Sequence, residues 1–287
     1  MPVEQLNLAG RRLTVVGGTN GLGRALANEA LRRGARVTVV GRTLRDAASA
    51  RFTFLAADLS SMREAVRVGR ELEVENNDVL LLTTGVFASK TRTETPEGVE
   101  RDMAISYLSR LAIVRETATR LGTDRVDQSS AARVFVMGSP GWGELGRVAD
   151  LNSERHYTAM AAHGNTLAGN EALVIAGHQR FPGPAYFGLA PGVIRTGIRA
   201  DLLGEGSAVH RGTEALIGLL AQTPEAYARR LLPVLFASGL EGRSGEMFGY
   251  RGNAIQPSKG FDLDYANLFL AESEALLDRA LGAGSAH

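Results

Sequence analysis

Short apolar runs rich in β-branched residues recur along the chain: Leu13 to Val16, Val37 to Val40, Phe52 to Leu55, Val79 to Leu82, Val134 to Met137 and Ala185 to Leu189. Between them, Gly21 to Arg33, Ser60 to Glu73, Gly98 to Leu121 and Tyr157 to Arg180 repeat apolar residues every three to four positions, the period of a helix buried along one face. Strands alternating with helices in this way predict βαβ units feeding one parallel sheet covered on both sides. No internal repeat or long linker divides the chain, so residues 1 to 281 are expected to form one doubly wound α/β domain. The polar piece at 122 to 132 is expected on the surface as a loop, and residues 282 to 287 as a flexible tail.

Composition narrows the chemistry. The 287 residues carry a formal net charge of +1, which gives no reason to expect nucleic acid or a membrane surface as partner. No apolar run approaches the roughly 20 residues that span a bilayer. With no charged and apolar leader before the first strand, a cytoplasmic protein is the expectation. Cysteine is absent, so a disulfide, a zinc–thiolate site and a cysteine nucleophile are excluded, and no metal is expected. Only Lys90 and Lys259 are lysines among the 32 basic residues.

The stretch "LTVVGGTNGLGRALA" joins the first strand to the first helix. Gly17, Gly21 and Gly23 there supply a tight turn, a close backbone approach and a helix N-terminus facing a phosphate, with Thr19, Asn20 and Leu22 between them. In that context the glycines predict a dinucleotide site. The second strand ends in "VVGRT", where Arg42 stands in place of the acid that holds ribose hydroxyls in many NAD-binding proteins. A guanidinium suits a 2′-phosphate, so NADP(H) is expected ahead of NAD(H). A plainer reading makes Arg42 one more arginine on a solvated turn.

The G-x-x-x-G-x-G spacing resembles the short-chain dehydrogenase/reductase family, and the resemblance extends over nearly the whole chain, to its retinol-dehydrogenase-like branch. It implies a Rossmann-type fold, a small-molecule substrate and cofactor contacts at matching positions. Asp58, followed by Leu59, falls where the family contacts adenine, although it could equally cap the helix starting near Ser60. Leu82, Thr83, Thr84 and Gly85 align with the N-N-A-G motif, keeping its glycine and losing both asparagines. "APGVIRTGI" matches the P-G-x-x-x-T motif through Pro191, Gly192 and Thr196, with Val193 inside it, and residues of about 197 to 232 should form a variable substrate lid. Ser139 falls on the family's catalytic serine, and Ser106 on its active-site asparagine, where a hydroxyl can still hold a water. The resemblance also implies a homo-oligomer through the helices at 98 to 121 and 157 to 180, unless those residues simply cover the sheet.

The family's Tyr-x-x-x-Lys pair falls on His163 and Leu167, so both proton-transfer residues are replaced. Tyr157 does not substitute, since Ala161 stands four residues on. His163 forms one polar helix face with Thr166 and Asn170, which is either an active site or the wet side of a helix. An imidazolium is a stronger acid than a phenol but is only partly populated at neutral pH. Three readings stand at this point. They are an atypical NADP(H)-dependent oxidoreductase acting on a carbonyl or an imine/iminium, a non-redox cyclase-like enzyme, and a nucleotide-binding protein without chemistry. Within the first, an iminium is the expected better substrate, because a cationic hydride acceptor needs no proton at that step.

Overall fold

The computed structural model describes residues 6–46, 49–192 and 223–283. Its strands are β1 (Arg12–Val16), β2 (Arg36–Gly41), β3 (Phe52–Ala56), β4 (Val79–Leu82), β5 (Arg133–Met137), β6 (Ala185–Leu189), β7 (Met247–Phe248) and β8 (Ala254–Ile255). They form one sheet in the order β3-β2-β1-β4-β5-β6-β7-β8. Neighbours from β3 to β7 run parallel, and only β8 returns antiparallel, along β7. β4 and β5 are buried at every position, which is why they read as unbroken apolar runs. The chain reverses direction across the sheet between β1 and β4, and a cleft outside the strand carboxyl ends is expected at such a switch.

Six helices cover the sheet among the described residues. They are α1 (Gly21–Arg32), α2 (Met62–Glu71), α3, α4 (Ala159–Arg180), α5 (Pro224–Leu235) and α6 (Leu263–Ala283). Helix α3 has three parts: Arg101–Met103, a π-helical turn at Ala104–Leu108, and Ser109–Thr117. One core packs α2, α3, α4 and α6 against the sheet through Leu108, Leu173, Phe269 and their neighbours. The other packs α1 and α5 on the opposite side through Leu26, Phe135, Phe187 and Leu231. No helix among the described residues is long and apolar enough to cross a membrane.

The differences from expectation lie at ends and in the C-terminal third. Helix α2 starts at Met62 because Ser61 caps it, accepting from the Glu64 N–H at 3.3 Å. Helix α4 starts at Ala159 because Thr158 accepts from the Ala161 N–H at 3.1 Å. Helix α3 starts at Arg101 rather than 98, since Gly98 takes φ +75° and Glu100 pairs back with Glu94 as a short bridge. Part of the expected lid is core: Tyr227, Leu231 and Leu232 of α5 are fully buried. The rest of it, 197 to 222, lies outside the described residues. Helix α6 runs through Ala283, into the expected tail, and 284 to 287 lie outside the described residues.

The apolar residues of α3 are spent inside the chain, apart from Ile105, which lines a cavity. Ala104, Tyr107, Leu108, Leu111, Ala112, Ile113 and Val114 are all completely buried in the single chain, so they cover the sheet and offer no apolar face to a partner. Helices α3 and α4 touch most closely at Gly169, where a Cβ would lie 2.5 Å from the Tyr107 ring. Tyr107 cannot yield, because its hydroxyl donates to Ser273 Oγ at 2.9 Å. Gly169→Ala is therefore expected to cost about 1–3 kcal/mol by overpacking. Urea unfolding should show a lower midpoint, with Gly239→Ala, where nothing lies within 4 Å, as the near-neutral control. An unchanged midpoint for Gly169→Ala would remove this account of the contact.

Candidate active site

A cavity of about 1170 Å³ runs along the carboxyl ends of the strands. At its first end the chain leaves β1 through Gly17, with φ +89°, a conformation that strongly favours glycine. A Cβ on Gly17 would sit 2.7 Å from the Thr84 nitrogen, and one on Gly23 would sit 2.5 Å from the Gly17 carbonyl oxygen. The turn, the strand end and the helix start therefore pack backbone to backbone. Asn20 at the head of α1 makes no side-chain cap, and the first turn holds no acidic residue. Its N–H groups are left for an anion. Gly17, Thr19, Asn20, Gly21, Leu22 and Gly23 all line the cavity.

Beyond β2, Thr19 fills the space in front of Gly41, where a Cβ would meet it at 2.6 Å. An acidic side chain has no room there. Arg42 is exposed, lines the cavity and makes no ion pair among the described residues. Asp58 and Leu59 line the same end. Asp58 does not cap α2; its Oδ1 accepts from the Ser60 N–H at 3.0 Å and from Ser60 Oγ at 2.8 Å. Burial pushes its carboxyl up, but those bonds and the charges of Arg42 and Arg101 outweigh it, and the net shift is downward.

The other end of the cavity is built by α3 and α4, which run side by side. His163 Nδ1 lies 2.7 Å from Asp102 Oδ2, and the Asp102 side chain is fully buried. A carboxylate can only accept, so the contact makes Nδ1 the donor and leaves Nε2 as the free ring nitrogen. Phe87 packs over the imidazole with centroids 4.4 Å apart. Ser106 Oγ donates to Asp102 Oδ1 and accepts from the Val86 N–H at 3.0 Å. The Val86 carbonyl is a second acceptor in reach of the Ser106 hydroxyl at 3.4 Å, so Ser106 braces both the Asp102 carboxylate and the strand-end loop. The face of His163, Thr166 and Asn170 is not a wet one, since Thr166 and Asn170 are buried. The Thr166 hydroxyl donates to the His163 carbonyl at 2.8 Å.

Arg110 lies one helical step beyond Ser106 and is 3% exposed. Its Nη1 donates to the Met137 carbonyl at 2.5 Å and to Asn170 Oδ1 at 2.7 Å, and its Nη2 donates to the Thr84 carbonyl. Asn170 in turn donates to the carbonyls of Ser106 at 2.9 Å and Thr166 at 2.7 Å. Burial pushes the guanidinium down to about 9 while the Asp102 charge opposes this, and the side chain stays cationic at neutral pH. Ser139 follows β5 and lines the cavity, its loop held by the Gly141 N–H donating to the buried Glu171 at 3.2 Å. Thr84, Gly85, Pro191 and Gly192 line the same wall. Val193 and Thr196 lie outside the described residues. Tyr157 does not line the cavity; its hydroxyl donates to the Ser89 carbonyl at 2.5 Å.

This arrangement of strand ends, glycine turn and helix pair has relatives. A sequence model described as short chain dehydrogenase matches residues 11–141. The uncharacterized oxidoreductase YKL107W of Saccharomyces cerevisiae is 42% identical over 283 residues, covering 97% of this chain and 92% of that protein. The chain belongs to the short-chain dehydrogenase family. Retinol dehydrogenase 14 of Mus musculus is 26% identical over 271 residues, covering 84% of this chain and 78% of that protein, in line with the retinol-dehydrogenase-like branch. Among solved structures, a short-chain dehydrogenase/reductase from Burkholderia multivorans with bound NADP shares the fold, with a TM-score of 0.58 and 21% identity over 86% of this chain and 99% of that one.

Two residues at the far end of this short-chain dehydrogenase's cleft escape the sequence reading: Asp102 and Arg110. A signal for them exists. Asp102, Ser106 and Arg110 fall at i, i+4 and i+8, a polar stripe along one face of the helix.

Proposed function

We propose that this short-chain dehydrogenase is an NADP(H)-dependent oxidoreductase that reduces a small organic carbonyl, with His163 as proton donor. The contact between His163 and the fully buried Asp102 carries the reading. The residues present fit a dinucleotide: glycines where a Cβ would collide, a helix head without an acid, and at the adenosine end Arg42, which has no ion pair among the described residues. When bound, the cofactor supplies a hydride to the carbonyl carbon. Gly17 through Gly23 would face its phosphates, Arg42 its 2′-phosphate, Asp58 and Leu59 its adenine, and Thr84, Gly85, Pro191 and Gly192 its nicotinamide half. Ser139 donates to the substrate oxygen and orients it. As that oxygen gains charge, imidazolium Nε2 gives up its proton to it and the carbonyl becomes an alcohol. The neutral ring remains bonded to Asp102 through Nδ1–H, held in one tautomer.

A carbonyl is favoured over an iminium by two observations. A supported proton donor removes the reason to need a cationic acceptor, and the buried Arg110 cation disfavours one. NADPH consumption with matched cyclic ketone and iminium substrates tests this, the ketone being expected to turn over faster. NADPH binding without consumption of either would sink the oxidoreductase reading in favour of a binding protein. A homo-oligomer would have to use surfaces other than the apolar face of α3, and a monomeric mass at micromolar concentration would end that reading.

A further inference from the structure

A buried guanidinium facing a cleft is costly unless something there uses it, because a charge taken out of water must be compensated by hydrogen bonds or by a partner charge. Arg110 is compensated only in part. Of its five N–H groups, two on Nη1 and one on Nη2 reach acceptors. Nε is buried with no partner, and the second Nη2 hydrogen has none among the described residues. No ion pair joins Arg110 to a carboxylate among the described residues, although the Asp102 charge acts on it. The side chain lines the cavity, and Nη2 lies 3.9 Å from where a Cβ would stand on Gly85, a residue of the cavity wall.

Its position in the cleft says what it meets. The glycine turn, Arg42 and Asp58 occupy the side of β1 and β2, so a dinucleotide held there by its adenosine half must run its other half across the ends of β4 and β5. Arg110 bonds to Thr84, just after β4, and to Met137, the last residue of β5. It therefore sits beneath the second half of the ligand. On helix α4, Leu167 lines the cavity where the family resemblance calls for lysine.

We infer that Arg110 is a cofactor-binding cation, delivered from α3 instead of α4, whose spare N–H groups hold the ribose hydroxyls of the nicotinamide half. The inference rests on the nucleotide reading above. Its cost in the free protein is borne by the network of Asn170, Thr84 and Met137, which fixes the guanidinium plane. Asn170 is accordingly a positioning residue for Arg110.

The test is direct binding, read by quenching of Trp142, the chain's only tryptophan and part of the cavity wall. Two ligands are titrated: NADPH, and 2′,5′-ADP, which carries only the adenosine half. Arg110→Met is expected to weaken NADPH by about 10- to 100-fold, the size of a charge-assisted hydrogen bond, and to leave 2′,5′-ADP unchanged. Adding Leu167→Lys to Arg110→Met should recover most of the NADPH affinity by returning a cation from the other helix. Arg110→Lys should keep it. Unchanged NADPH binding by Arg110→Met overturns the inference, as does an equal loss of both ligands with no rescue, which marks a merely structural residue. If Arg110→Met does not fold, an equal loss of both ligands by Arg110→Lys overturns it as well. Failure of the native protein to bind NADPH overturns the nucleotide reading itself, and this inference with it.

Discussion

His163→Ala is expected to slow carbonyl reduction by about 10²- to 10⁴-fold, the range that a positioned general acid contributes. Affinity for NADPH should stay near native, because the imidazole lies on α4 beside Phe87 and Asp102, away from the glycine turn and Arg42. Asp102→Asn isolates the second half of the device. The amide nearly matches the carboxylate in shape, so Ser106 and His163 keep a neighbour, but the negative charge that stabilises the imidazolium is gone. The rate should fall, because an amide cannot stabilise the imidazolium as a carboxylate does. Stopped-flow measurement of NADPH oxidation, read beside urea unfolding, separates this from a general loss of folding. Reduction that survives His163→Ala would show that the proton comes from elsewhere, with Ser139 the remaining candidate.

The parts of this fold that a reader of the sequence can recover are the ones whose cause is local. β4 is legible because a strand buried on both faces reads as an unbroken apolar run, β1 because it is β-branched and mostly apolar, and the glycine turn because Gly17 and Gly23 answer to backbone contacts within the first βαβ unit and at the neighbouring Thr84. β7 and β8 are two residues each and carry no period. β7 exists because the edge of β6, Gly188 and Leu189, offers it hydrogen bonds, and β8 because β7 offers it the next edge. The acid-base end fails to show for the same reason. Asp102 and His163 are 61 positions apart and meet only because α3 and α4 pack in register. Asp102 on its own reads as a residue of the first helical turn, and Arg110 as one of many arginines. The π turn between them adds a residue to one coil of α3, a departure that composition does not announce and that often marks a functional site. The apolar stretch of the same helix points to a partner subunit when read alone. In the fold it is consumed by the sheet and by its neighbouring helices.

Arg42→Asp is expected to weaken NADPH by about 100-fold or more while leaving NADH within a few-fold of its native affinity. Three features of the adenosine end argue for an effect confined to the phosphate. Arg42 makes no ion pair among the described residues, so its removal strands no carboxylate. It is exposed, so the substitution leaves no cavity in the core. The new carboxylate would face a ligand group of charge near −2, turning an attraction into a repulsion. Position 41 is the wrong place for the same experiment, because a side chain there would collide with Thr19 at 2.6 Å and disturb the turn itself. The repulsion also has a local component: Asp58 lies close enough to feel the charge of Arg42, so two carboxylates would share this corner and both adenosine ligands should bind somewhat more weakly. That term is common to NADH and NADPH and cancels in their ratio. Titrating both cofactors into both proteins therefore reads the 2′-phosphate contact as a change in the ratio of dissociation constants. An equal loss for the two would mean that Arg42 is only a solvated arginine and that the preference for NADP(H) has no basis at this residue.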